Sequence, residues 1–109
     1  MTAERQQQVI DAVADMAKSI VPPNAEMILF GSRARGDAHE GSDWDFLILL
    51  DQDRISSDDF DLYSYPFREL GWDLGQFINV VLYTKKAWAE DTASPFYENV
   101  NEEGIRIWA

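Results

Sequence analysis

Between Gly31 and Asp45 the chain reads GSRARGDAHEGSDWD, and two pairs of residues in it have the types and spacing to hold a charged ligand. Gly31 and Ser32 close one apolar run. After ten intervening residues, Asp43 and Asp45 open the next. On a strand, residues i and i+2 point to the same side, so the two carboxylates stand together. Like charges that close are unfavourable unless something neutralises them. A hard divalent cation such as Mg²⁺ does so through oxygen ligands, and it keeps room for phosphate oxygens. Gly31 lets backbone approach a ligand closely. A helical turn starting at Ser32 would aim free N–H groups at a phosphate. Arg33 and Arg35 follow in the same loop, two of only nine basic residues, and are candidates for the same phosphate group. Each feature alone has a plainer reading: solvated acids at a strand start, an ordinary turn with a serine cap, solvated loop arginines.

The surrounding elements must bring these residues together. Val9, Val13, Met16 and Ile20 recur at helical spacing within 3–20, and Pro22 and Pro23 stop that helix. AEMILF, 25–30, reads as a strand, and SRARGDAHEGS, 32–42, as one helical turn and a loop. DWDFLILL, 43–50, is apolar after its acids, as a strand buried on both faces should be. Phe60, Tyr63, Phe67 and Leu70 share a helical face, which Pro66 divides into two shorter helices, with Ser56 or Ser57 as the cap. GQFINVVLYT, 75–84, reads as a third strand, KKAWAE as a helical turn, 94–104 as a helix capped by Ser94, and IRIW as a short strand. The fold class is α/β (α+β): a small mixed β-sheet with helices packed on one face, in a single domain over 1–109.

The chain has no cysteine, so disulfides and thiolate metal sites are excluded. No apolar run approaches a membrane span and the N-terminus has no signal-peptide core, so a cytoplasmic location is expected. Twenty acidic residues against nine basic give a net charge of −11. That argues against a duplex nucleic-acid binder and fits a metal or small-molecule site, or a basic protein partner. The domain is small, so a second protein or a homo-oligomer would have to supply surface for a second substrate.

Gly31-Ser32, ten residues, then Asp43-x-Asp45 resembles the signature of the DNA polymerase β-like nucleotidyltransferase superfamily. GSRARGDAHEGSDWDFLILL looks like the small stand-alone members, the minimal nucleotidyltransferases, and VVLYTKKAW and PFYENVNEEGIRI look like their tail. The likeness runs from about residue 24 to 107. It implies a nucleotidyltransferase fold in which Gly31 and Ser32 hold the triphosphate of ATP and Asp43 and Asp45 are the catalytic, Mg²⁺-coordinating acids. It also implies, for many members, an antitoxin paired with a HEPN-domain ribonuclease toxin, some of which transfer AMP to a tyrosine of that partner.

The family's third carboxylate, on the neighbouring strand, has no counterpart in GQFINVVLYT. Asn79 lies in its slot, Phe77 shares that strand face, and Asp73 precedes the strand. Asn can ligate through its carbonyl oxygen but cannot act as a base. Two functions therefore stand side by side: a Mg²⁺-dependent transferase, and a catalytically degenerate relative that acts by docking to a partner toxin. Transfer to a small molecule such as an aminoglycoside is a third, for which the chain is short. His39 and the acids at 51, 53, 58, 59 and 61 read as solvated, and Trp44 as core. Trp72, Trp88 and Trp108 read as core or partner-facing.

Overall fold

Helix α1 (Ala3–Ile20) forms where the apolar spacing predicts it. Its N-cap Thr2 accepts the Arg5 N–H, and its buried face is Val9, Val13 and Ala17. Strand β1 (Glu26–Phe30), the one-turn helix α2 (Ser32–Arg35) and strand β2 (Trp44–Leu50) follow. The chain continues through α3 (Ser57–Tyr63), α4 (Tyr65–Leu74), β3 (Ile78–Thr84), α5 (Lys85–Glu90), α6 (Pro95–Glu103) and β4 (Ile105–Trp108). The structure, a computed structural model, describes residues 1–108 and only the backbone of Trp108. The reading of the Trp108 side chain lies outside the described residues.

Pro66 does divide the helical segment. It falls in the first turn of α4, where its missing N–H leaves no bond unmade. Asp59 is not solvated, as expected from sequence, but buried. Its carboxylate accepts from the Ser56 N–H (2.7 Å) and the Gln52 amide (2.7 Å), closing a capping box at the start of α3.

The sheet is mixed, in the order β3-β2-β1-β4. β1 pairs antiparallel with β2 and β4, and β2 pairs parallel with β3 through the α3–α4 crossover. One face carries Met27, Leu29, Trp44, Phe46, Ile48, Leu50 and Ile78 against α1 and Phe67 of α4. The expectation of helices on one face holds for α1 and α4 but is incomplete. On the other face, α5 and α6 cover Leu47 and Leu49 with Trp88 and Val100. Phe96 of α6 meets Phe30 edge-on at 5.1 Å and Trp88 at 5.5 Å. The cause is β2 itself, whose apolar run needs cover on both sides. That second cover sits over the later part of β2, while Asp45 is half-buried and Asp43 exposed at its start. Among the described residues no helix is long and apolar enough to cross a membrane.

Candidate functional site

Alternation along β2 sends Trp44 and Phe46 into the α1–α4 core and Asp45 to the opposite, partly open face. Asp43, two residues earlier, precedes the strand. The β1–β2 register sets Phe30 opposite Asp45, so the chain leaves β1 beside that carboxylate. Gly31 is required there on two counts. Its φ is +76°, and a Cβ at this position would lie 2.6 Å from Asp45 Oδ2. The N–H groups of Ala34 and Arg35 both bond Gly31 O. Those of Ser32 and Arg33 stand at the start of the turn, where a helix offers no internal acceptor.

The parallel β2–β3 register sets Asn79 directly opposite Asp45. Its Nδ2 donates to Asp43 Oδ2 at 3.1 Å and to Asp45 Oδ1 at 3.3 Å. The reverse amide orientation would aim a carbonyl oxygen at two carboxylates, so the assignment follows from charge. One neutral side chain thus bridges the acids in the slot where a third carboxylate would stand. Asp73 is exposed on α4, and among the described residues no three His, Cys, Asp or Glu side chains form a cluster fit for a metal. The donors fit one hard cation of the Mg²⁺ class, with two carboxylates on one open face and phosphate oxygens to complete the shell. They supply less than a pair of ions would need.

The arginines separate. Arg33 is only 6% exposed, and its guanidinium lies 4.8 Å from the Trp44 ring centre and donates to Ser42 O at 3.0 Å. Trp44 belongs to the α1–α4 core, so the Arg33 side chain is on the face away from the carboxylates. The phosphate role expected of that side chain is corrected to a packing role. Arg33→Met is expected to cost about 2 kcal/mol through the lost cation–π contact and hydrogen bond. Calorimetric melting should read this as a fall in Tm of roughly 5–10 °C, with the Mg-ATP Kd unchanged within about twofold. Arg35 is exposed and bonds Asp37 (3.1 Å) and Glu103 (3.2 Å). Asp37 first, then Glu103, holds its pKa above the ordinary arginine value. Exposed pairs of this kind hold weakly and can be exchanged for a phosphate. His39 is exposed, and its Nδ1 lies 3.0 Å from Glu40 O.

Sequence reasoning missed a pocket of about 210 Å³ beside Asn79, lined by Arg68, Trp72, Gln76, Phe77, Ile78 and Asn79. Gly71 shapes it: α4 turns so tightly onto the next segment that a Cβ there would lie 2.7 Å from Gln76 O. The one available signal was Trp72, an aromatic off the apolar face of its helix. A larger cavity of about 330 Å³ lies at the far end of β3, between Ile55 and Tyr83, with none of the candidate site residues in its walls.

Residues 8–104 match the nucleotidyltransferase domain family. A Methanocaldococcus jannaschii protein described as a candidate protein adenylyltransferase is 37% identical over 79 residues, which cover 72% of this chain and 73% of that one. A toxin–antitoxin crystal structure with AMP-PNP superposes with a TM-score of 0.65 at 18% identity, over 92% of this chain and 73% of that one. A Shewanella oneidensis structure of a tri-AMPylated HEPN toxin with its MNT antitoxin gives 0.62 at 16% identity, over 95% and 72%. At these identities the two structures establish the nucleotidyltransferase fold.

Proposed function

The chain belongs to the nucleotidyltransferase domain family, and on that premise we propose that it binds Mg-ATP and transfers AMP to a hydroxyl of a partner protein. The observation that carries this reading is the placement of Gly31, Ser32, Asp43 and Asp45 at one open sheet face. Gly31 lets the Asp45 carboxylate come against the turn, and the Ser32 and Arg33 N–H groups, which have no acceptor inside the helix, would bind phosphate oxygens beside it. Asp43 and Asp45 would hold Mg²⁺, which supplies neutralisation of the triphosphate and of charge growing on the leaving pyrophosphate. The acceptor oxygen bonds the α-phosphorus as the α–β bridge breaks. Its proton goes to solvent, because the Asn79 amide cannot take it. The M. jannaschii relative's description and the AMP-PNP and AMPylated neighbours support ATP as the donor and a HEPN toxin as the acceptor. The −11 charge suits a basic partner, and a cytoplasmic location goes with the proposed pairing.

Asn79 favours a second reading, in which the chain silences its partner by docking alone. One experiment separates them. The co-expressed HEPN partner is incubated with the protein and Mg-ATP labelled at the α-phosphate. Transfer predicts label on a partner tyrosine and release of pyrophosphate. An unlabelled partner, still silenced by the Asp43→Asn/Asp45→Asn double variant, would establish docking.

A further inference from the structure

We propose that the pocket walled by Arg68, Trp72, Gln76, Phe77, Ile78 and Asn79 is the nucleobase subsite, a stacking platform that favours purines over pyrimidines. The proposal rests on the nucleotide-binding reading above. Asn79 connects the two regions, since its amide bonds Asp43 and Asp45 while the residue also walls the pocket. Gly31 lies on the β1 side of those carboxylates and the pocket on the β3 side. A nucleotide has the same two ends, a chain of phosphates and a flat ring, so one molecule spans both sides.

The pocket's chemistry fits the flat end. Trp72 is 69% exposed and Phe77 66%, two large apolar surfaces left in water around one small concavity. Arg68 adds a planar cation, held 5.8 Å from the Tyr65 ring centre on the same helix. Aromatic side chains stack on any base, because every base has a π-face. At about 210 Å³ the space is smaller than pockets that enclose a whole ligand, and suits one ring system. Its base is firm, because Gln76 N–H donates to Gly71 O (2.8 Å) and Gln76 Oε1 accepts the Trp44 indole N–H (3.0 Å). With that oxygen committed, Gln76 has only its amide N–H donors left for a base edge, and both purines carry acceptors for them, so adenine and guanine bind alike and cytosine, with its smaller ring area, more weakly.

Calorimetric titration tests this with Mg-ATP, Mg-GTP, Mg-CTP and Mg-tripolyphosphate against the wild type, Trp72→Ala, Phe77→Ala and the ring-retaining Trp72→Phe. Each alanine variant is expected to weaken Mg-ATP by roughly 5- to 150-fold, towards the affinity for tripolyphosphate, which stays unchanged. Trp72→Phe should bind Mg-ATP within a few-fold of wild type. The exposed positions carry no core packing, so melting curves should match wild type. The subsite is overturned if both alanine variants keep wild-type Mg-ATP affinity, if they lose tripolyphosphate equally, or if the wild type binds tripolyphosphate as tightly as Mg-ATP. A wild type that binds neither ligand overturns the nucleotide reading itself, and the subsite with it.

Discussion

Mg-ATP titrated into the Asp45→Asn protein is expected to bind at least about a hundredfold more weakly than into wild type. Loss of a group that merely orients a metal ligand already costs about 10- to 100-fold, and Asp45 is a proposed ligand. The substitution keeps shape and removes charge, so what falls is attraction for the cation that neutralises the triphosphate. Folding should change little. Asn79 loses one charged acceptor at 3.3 Å, while the mutual repulsion of Asp43 and Asp45 is relieved. These two effects oppose each other, so Tm should stay within about 3 °C. Calorimetry beside a melting curve therefore separates a lost site from a lost fold. Equal binding by both proteins would remove Asp45 from the nucleotide site. Binding by neither would make the motif a relic and leave docking as the function.

Much of this architecture was legible because it is periodic. The α1 face, the two-sided burial of β2 and the break at Pro66 each follow from a local rule that packing did not override. Asp45 reaches the open face by strand alternation, while Asp43, just ahead of the strand, is tied to it through the Asn79 amide. What escaped is set by contacts distant in sequence. The side chain of Arg33 turns to the Trp44 ring because the loop returns Ser42 to meet it, which no spacing rule foresees. Asp59 looks like any acid in an acidic run until the Ser56 backbone closes onto it. The second helical layer, α5 and α6, is joined to the sheet by aromatic contacts such as Phe30–Phe96, across 66 positions of chain (96 − 30). The pocket beside Asn79 exists because Gly71 admits the Gln76 carbonyl, a steric fact visible only in three dimensions.

Asn79→Asp should produce the largest gain. The register already sets this side chain against Asp45 and within 3.1 Å of Asp43, so a carboxylate here joins the pair without rebuilding the sheet. With Mg²⁺ and the partner present, AMP transfer is expected to rise by about 10²- to 10⁴-fold, the usual worth of a positioned general base. The same change has a cost that needs no substrate to detect. Asp43 and Asp45 lose the amide that bridges them and face a third negative charge. In EDTA the variant should therefore melt lower, by roughly 1–3 kcal/mol of stability or several degrees. Mg²⁺ should restore it, because a cation that binds only the folded state stabilises by mass action. Wild type, with its acids already held by Asn79, should show a smaller Mg²⁺ effect on Tm. A variant that gains the Mg²⁺ response but no turnover would show that a base is not what transfer lacks. One that gains neither would mean that position 79 is outside the metal site, and would leave the Asn79 amide as a structural bridge between the two acids and nothing more.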